Sequence, residues 1–405
     1  MDSRNLKTIL KDEDFLGEVV FVLGTGRNGS TLLRSLLDGN HELIVWPFEF
    51  PFYTIFYDKW GKCSTEDEFQ ISEMLATYDD ALLQFKKNYT GDLGSHEYKL
   101  KGFDVDAFFN TLDAFKDEYC TRPEFLKLLA WSFYVSNSKS IIKPKGFVVV
   151  HNQPSTAILE DFDICKIVAL VRDPLETYIS NKEYYFRAAK NTGRDKSCVY
   201  RPFAANKRFR SLIETSISPI VFTYNWFGKN TKIKYFYVMH LDELRENPEV
   251  TMKELSEFLG IKFNEELIKA TFFGEVHHSN LSSGEAANGK ILAKARKTKN
   301  DLSKYECNWI NKILKEVYQN APMILDRYGN KHSYEIKVSL LSFLTPMMNE
   351  FPNHGGDKRG NRTLLNHVIL RGGRYFFAII AYFVNRYIFI MSSYKRILKS
   401  WPMAR

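Results

Sequence analysis

VVFVLGTGRNGSTLL, residues 19–33, is an apolar run that ends in a glycine-rich turn and continues with helix-forming residues. Three glycines allow the backbone to turn tightly enough to direct several N–H groups at one anion. The amino end of the following helix would add about half a positive charge. Arg27 contributes a cation, and Ser30 and Thr31 contribute hydroxyls. The stretch therefore predicts a strand, a phosphate-binding loop and a helix.

Two well-known nucleotide-binding motifs fit this loop only in part. Its three glycines match G-x-G-x-x-G, and Glu49 follows about 20 residues later, as in dinucleotide-binding folds. However, Arg27 would crowd a pyrophosphate, and Pro47 interrupts the segment expected to form the second strand. The loop also matches the start of a Walker A motif, but Ser30 stands where the phosphate-binding Lys is needed. Neither motif is complete.

The order Arg-Asn-Gly-Ser-Thr from residue 27 resembles the loop that binds the 5′-phosphosulfate in sulfotransferases that use 3′-phosphoadenosine 5′-phosphosulfate (PAPS). In that family (Lys/Arg)-Ser-Gly-Thr-Thr is usual. The resemblance implies that the following residues bind the cofactor: Gly26, Arg27, Asn28, Gly29, Ser30 and Thr31.

A second apolar run, residues 166–171, is followed by Arg172, and Ser180 lies further along the expected helix. Ligands of open α/β sheets bind beyond the carboxyl ends of the strands, so Arg172 should reach the same edge as the first loop. The family binds the 3′-phosphate of PAPS with an Arg and a Ser at this spacing. The resemblance thus assigns Arg172 and Ser180 to that phosphate. The alternative is a structural pair between Arg172 and Asp173.

The resemblance spans roughly residues 18–330 and implies an α/β fold like that of P-loop NTPases. A central parallel sheet with helices on both faces is expected, with a helical insert on the acceptor side at about 55–140. Residues 237–244 and 258–260 resemble the family's strand, acidic turn and helix ending in FLG. The sulfotransferase domain would then be residues 1–330, followed by a basic tail, residues 331–405.

Composition is that of a globular protein of 405 residues, 44% hydrophobic and 15% aromatic. The five cysteines are isolated in sequence, which predicts neither a disulfide scaffold nor a zinc site. Residues 1–17 carry acidic side chains and no apolar run, so the sequence predicts no signal peptide and a cytoplasmic location.

The positive charge of this chain is concentrated in the tail. The tail holds twelve Lys and Arg against three Asp and Glu, whereas the net charge of the whole chain is +8. A nucleic-acid-binding surface on the main domain is therefore not expected.

Residues 375–394 contain an apolar, aromatic helix with flanking bases, too short in its uninterrupted part for a confident membrane span. It suits a helix on an anionic membrane surface, and the alternatives are packing on the domain or in a homodimer, or a short tail anchor.

Two residues are candidates for the general base that sulfuryl transfer requires. Glu49 lies between aromatic residues that could desolvate it, and it resembles the catalytic Glu of tyrosylprotein and carbohydrate sulfotransferases. His151 ends an apolar strand and resembles the catalytic His of the cytosolic small-molecule sulfotransferases. The structural alternatives are a surface carboxylate and a His hydrogen-bonded to backbone.

Further cations are expected to act on the phosphates of the cofactor. Arg27 would stabilise the charge that develops on the leaving phosphate, and no metal is expected, because sulfuryl groups carry less charge than phosphoryl groups. Lys290 and its basic neighbours fall where the family closes a loop over the 3′-phosphate, but they could equally be a solvated charge run. The aromatic residues of the insert, such as Phe108 and Phe125, are expected to pack in the core rather than to bind carbohydrate.

The sequence therefore predicts a PAPS-dependent sulfotransferase with the product PAP and an acceptor that offers a hydroxyl or an amine. The acceptor itself is not identified. Two alternatives are an ATP-dependent kinase, which would need a loop Lys and a metal-binding acid, and a non-catalytic nucleotide-binding protein that docks to a membrane or partner through its tail.

Overall fold

The computed structural model describes residues 18–82, 103–137, 144–151, 153–162, 164–181, 217–230, 233–272 and 275–276, and isolated positions between 310 and 328. Residues through Arg172, together with those from Asn230 to Val276, belong to one compact unit that contains the central sheet. Residues 173–181 and 217–229 belong to a second unit. Both of these segments are helical: the first forms a helix over residues 174–181, and the second forms a helix that continues to residue 230.

The central sheet has five parallel strands in the order β2-β5-β1-β6-β7. The strands are β1 (Glu18–Leu23), β2 (Leu43–Glu49), β5 (Gly146–His151), β6 (Cys165–Val171) and β7 (Phe236–His240). Strands β1, β5 and β6 each contain a continuous run of buried apolar residues, 19–23, 147–150 and 167–171, as expected for strands covered on both faces. The predicted parallel α/β sheet is confirmed.

Alternate residues of β1 enter two separate layers of the core. Val20 and Val22 belong to a cluster with Leu33, Leu36 and Leu255, which come from helices on one face. Phe21 lies between them in sequence and contacts the rings of Tyr53 and Phe162, at centroid distances of 6.1 and 5.7 Å. The period of two along a strand sends these side chains to opposite faces. Helices therefore cover both faces, as the sequence predicts.

In the described part of the first unit, helices lie between the strands and after them. They are α1 (Ser30–Leu37), α2 (Phe52–Trp60), α3 (Ile71–Thr77), α4 (Val105–Asp113), α5 (Arg122–Val135), α6 (Ala157–Asp161), α7 (Leu241–Glu246) and α8 (Pro248–Leu259). A 3-10 helix, Glu265–Ile268, and an antiparallel pair, β8 (Thr271–Phe272) and β9 (Glu275–Val276), follow α8. The segment resembling the family's acidic turn is the short helix α7.

The expected helical insert also contains a small antiparallel ribbon that the sequence does not predict. Its strands are β3 (Glu68–Gln70) and β4 (Tyr119–Thr121), which are three residues each and about 50 residues apart in sequence. Phe108 and Phe125 are fully buried, as are Leu128 and Leu129. The expectation that insert aromatics pack in the core is confirmed for these residues.

Pro47 does not end the second strand, contrary to the sequence-based expectation. Strand β2 runs from Leu43 to Glu49 and passes through this proline at the edge of the sheet. Its register against β5 shifts between Val45 and Glu49. An edge strand with a bulge tolerates a residue that has no backbone N–H, which explains the difference.

Candidate active site

Four strands carry the glycine-rich loop, Arg172 and both candidate bases to the edge of the sheet where their carboxyl ends lie. Leu23 ends β1 and pairs in register with His151, which ends β5. Glu49 ends β2 opposite Val150, and Arg172 directly follows β6. Because all four strands are parallel, their carboxyl ends meet at the same edge. The structure thus brings together the loop, Arg172 and both candidate bases.

The loop between β1 and α1 needs glycine at two positions. Gly29 precedes α1 with φ 97°, and a Cβ there would lie 2.5 Å from Cδ1 of Leu241. A Cβ on Gly24 would lie 1.5 Å from Nδ2 of Asn28. Arg27 also has a positive φ, 69°, which is uncommon for a residue with a side chain. The loop is therefore held in a conformation that few sequences can adopt.

Asn28 is buried, and its carboxamide bonds to other parts of the same unit. Its Nδ2 donates to the carbonyl of Leu170 at 3.3 Å, and its Oδ1 accepts from the backbone N–H of Ser30 at 3.1 Å. The side chain therefore connects the loop to the end of β6 and satisfies the backbone N–H of Ser30, the first residue of α1. These contacts give Asn28 a structural role in the cradle, which is the loop of residues 24–29 with the start of α1 and the neighbouring Arg172.

Arg172 is mostly buried, and its Nη1 donates to the backbone carbonyl of Arg27 at 2.9 Å. The side chain of Arg172, which the resemblance assigns to the 3′-phosphate, is thus hydrogen-bonded to the backbone of Arg27, which it assigns to the 5′-phosphosulfate. The side chain of Arg27 and that of Thr31 are exposed at the start of α1. A guanidinium, a hydroxyl and a helix amino end at one place suit an anionic ligand.

Glu49 is exposed at the carboxyl end of β2. The neighbouring Phe50 is buried and Phe48 is half-buried, so these aromatics do not desolvate the carboxylate as the sequence suggested. Phe50 donates its N–H to the carbonyl of Val150 at 2.9 Å, which re-forms the pairing with β5 directly after Glu49. Glu49 is therefore an exposed residue at a point of the edge that this backbone pairing defines.

His151 is buried, and both ring nitrogens contact the backbone. Nε2 accepts from the N–H of Tyr53 at 3.3 Å, and Nδ1 lies against the carbonyl of Gln153. With Nδ1 protonated, the neutral ring donates to the carbonyl of Gln153 and accepts from the N–H of Tyr53. Burial lowers the pKa of His151 to about 4, and the contact with Gln153 opposes this shift in part. The ring thus joins the end of β5 to the start of α2.

The family model described as the sulfotransferase domain matches residues 19–304. The chain belongs to the sulfotransferase family. Among curated protein sequences, none matches it significantly.

Several solved structures resemble this sulfotransferase at low identity. The sulfotransferase domain of the Synechococcus PCC 7002 olefin synthase is 16% identical with a TM-score of 0.42, and the match covers 68% of this chain and 86% of that one. The sulfotransferase domain from the curacin biosynthetic pathway is 17% identical, with a TM-score of 0.40 and coverage of 63% and 78%. Retinol dehydratase in complex with androsterone and inactive cofactor PAP is 16% identical, with a TM-score of 0.37 and coverage of 78% and 86%.

Some predicted site residues of this sulfotransferase cannot be placed at the edge. Ser180 is half-buried on the helical segment 174–181 of the second unit, where Oδ1 of Asp173 accepts from the N–H of Leu175 at 2.9 Å. Lys290 and the tail, residues 331–405 with the helix at 375–394, lie outside the described residues. In the described part of the chain, no helix is long and apolar enough to cross a membrane. Nor do the described His, Cys, Asp and Glu form a group suited to a metal ion.

Two buried arginines near this site were not predicted from the sequence. Arg122 forms a buried ion pair with Asp161, with N–O distances of 2.6 and 2.7 Å, and its guanidinium lies 5.0 Å from the ring centre of Phe56. The pair joins α5 to the end of α6 beside α2. Arg34 of α1 donates from Nη1 to the carbonyl of Pro47 in β2. The sequence does not predict the partner of either arginine. Its one signal is that each arginine is a charged residue in a largely apolar segment.

His151 gives this sulfotransferase a testable pH dependence of stability. Between pH 6.5 and about 4 the unfolded chain binds a proton at His151 that the folded chain does not, so folding stability falls as the pH drops through this window. The slope from this residue is about 1.4 kcal/mol per pH unit. His151→Gln removes the titration and should flatten the dependence.

Urea unfolding of wild type and His151→Gln in steps between about pH 7 and pH 4.5 measures this slope. Only the difference between the two proteins is used, because other groups titrate equally in both. Parallel pH profiles would show that His151 titrates normally in the folded state.

Proposed function

We propose that this sulfotransferase transfers the sulfuryl group of PAPS to a hydroxyl or amine of an acceptor. The observation that carries the proposal is the cradle in which Arg172 bonds to the backbone of Arg27 at the amino end of α1. Arg172 thus lies beside the loop that carries Arg27 and leads into α1, and two cations with a helix amino end would suit a ligand with two phosphate groups. Family membership over residues 19–304 supports the same reaction class.

The residues of the cradle would hold the two ends of the cofactor. Gly26, Gly29, Ser30 and Thr31 would direct backbone N–H and hydroxyl groups at the 5′-phosphosulfate, with Arg27 beside them. Arg172 would bind the 3′-phosphate, together with Ser180 and Lys290. Bound PAPS supplies an activated sulfuryl group whose leaving group is a phosphate. Arg27 would stabilise the negative charge that develops on that phosphate.

Glu49 is the candidate base that the geometry favours. Its carboxylate is exposed at the edge where the cradle lies, so it can accept the proton of an acceptor hydroxyl or amine as the new bond to sulfur forms. His151 is less suited to this role, because its neutral ring is buried and its two nitrogens already bond to Tyr53 and Gln153. We therefore assign proton transfer to Glu49 and a structural role to His151.

Titration with PAP, PAPS and ATP by isothermal calorimetry tests the proposed cofactor. The two-cation cradle should bind PAP and PAPS, and ATP with Mg²⁺ should bind much more weakly because Ser30 stands where a P-loop Lys would grip its phosphates. Preference for ATP would favour a kinase, and binding of none of the three would favour a non-catalytic protein. A screen with radiolabelled PAPS over sugars, lipids, phenols and peptides would then identify the acceptor.

A further inference from the structure

The bulge in β2 determines where Glu49 lies. From Val45 to Glu49 the strand advances four residues while its partner β5 advances two, from Val148 to Val150. Two residues of β2 therefore have no counterpart in the ladder, and the chain between Val45 and Glu49 must be held by other contacts. The position of the Glu49 carboxylate depends on the conformation of this bulge.

Arg34 supplies such a contact from the helix that follows the loop. Its side chain is buried, with 8% of the residue exposed, and Nη1 donates to the carbonyl of Pro47, two residues before Glu49. A buried guanidinium is costly unless it is well bonded, so its presence in an apolar helix face needs an explanation. Holding a bulge carbonyl that lies outside the regular ladder provides one.

Helix α1 therefore carries both elements that the reaction must align. Its first turn, with Ser30 and Thr31, forms part of the cradle, and Arg34 on the next turn reaches the bulge that leads to Glu49. A rigid helix of eight residues fixes the distance between these two points. Any shift of the bulge would move the carboxylate relative to the cradle.

We infer that Arg34 is a positioning residue: through the Pro47 carbonyl it holds the β2 bulge so that Glu49 faces the sulfuryl group in the cradle. The inference rests on the proposed role of Glu49 as the base. Misplacement of a reacting group by about 1 Å can cost on the order of 10²-fold in rate. Loss of Arg34 should therefore affect turnover and leave cofactor binding nearly intact.

The test compares Arg34→Met, which keeps the length of the side chain and removes its donors, with Arg34→Lys, which keeps a donor and the charge. Ser35→Ala is the matched control, because it removes a buried hydrogen bond within α1, from Oγ to the carbonyl of Leu32, without involving β2. Hydrogen exchange over residues 46–52 measures the bulge directly. Release of radiolabelled product from PAPS measures turnover, and calorimetry measures PAP affinity.

Arg34→Met should accelerate exchange over residues 46–52, leave exchange in β6 unchanged and keep PAP affinity within about threefold. Turnover should fall about 10- to 100-fold. Arg34→Lys should restore part of both readouts, and Ser35→Ala should change neither. In a Glu49→Gln background, Arg34→Met should lower turnover no further, because it acts through Glu49.

Three outcomes would overturn the role of Arg34. In the first, Arg34→Met shows exchange and turnover like wild type. In the second, Arg34→Met lowers turnover as much in the Glu49→Gln background as in wild type, and in the third, its loss of PAP affinity is large enough to explain the lower turnover. Failure of the wild-type chain to bind PAP would instead refute the proposed function. In that case the exchange measurement would still report whether Arg34 holds the bulge, but the positioning role would fall with the reaction.

Discussion

Glu49→Gln is expected to lower turnover by about 10²- to 10⁴-fold while PAP affinity stays like that of wild type. The amide keeps the shape of the side chain but cannot accept the proton of the acceptor. Glu49 is exposed at the end of β2, so the substitution should not disturb the core. Steady-state kinetics with the acceptor found by screening gives the turnover, and calorimetry with PAP gives the affinity.

The matched control for this variant is Glu68→Gln, which neutralises another exposed carboxylate, in β3. It should turn over like wild type. His151→Asn should cost less turnover than Glu49→Gln, because both ring nitrogens of His151 contact backbone groups of Tyr53 and Gln153. The opposite ranking would make His151 the base and would move the enzyme towards the cytosolic small-molecule type.

Arg172→Ala is expected to weaken PAP binding at least tenfold. A charge-assisted hydrogen bond to a phosphate contributes roughly 1.5–3 kcal/mol, which corresponds to about 10- to 150-fold in affinity. The variant also removes the donor that holds the carbonyl of Arg27, so the loop loses support on the same side. Arg172→Lys keeps the charge but not the forked set of donors, so its PAP affinity should lie between those of wild type and Arg172→Ala. Calorimetric titration with PAP measures all three proteins.

Lys145→Ala serves as the control for a lost positive charge. Lys145 directly precedes β5, so it lies at the amino end of the strands and away from the carboxyl ends that carry the site, and it forms an ion pair with Glu42 at 2.6 Å. Its removal changes the net charge by the same amount and should leave PAP affinity unchanged. Arg27→Ala should also weaken binding at least tenfold, since it removes the exposed cation of the loop. Wild-type affinity in either arginine variant would remove these residues from the cofactor site.

Two apolar runs in the sequence predict the two strands of the site and the arginine that follows each of them. The apolar run before Gly24 and the run before Arg172 are each local signals, and the rule for carboxyl ends of parallel strands places them at one edge. The structure confirms both strands and their common edge. The family resemblance of residues 237–244 and 258–260 predicts β7 and the helix that ends at Leu259, and the structure contains both.

The detailed contacts of the site were not predictable in this way. His151 and Glu49 look alike in sequence, as polar residues at strand ends, yet one is buried against Tyr53 and the other is exposed. The ribbon of β3 with β4 pairs two short segments with weak patterns of their own. Pro47 suggests a strand end in sequence, whereas an edge position and a bulge keep it in the strand.

The sequence by itself determined the apolar strands β1 and β6, the glycine-rich loop and the positions of Arg27 and Arg172 next to them, because these depend on residues that are close along the chain. Only the tertiary structure decided which nitrogen of His151 faces which backbone group, that Arg172 holds the Arg27 carbonyl, and that Arg34 reaches Pro47. Each of these contacts joins residues brought together by the packing of the sheet and its helices. Burial and hydrogen bonding at such points depend on the neighbours in space, and the chain order does not encode them locally.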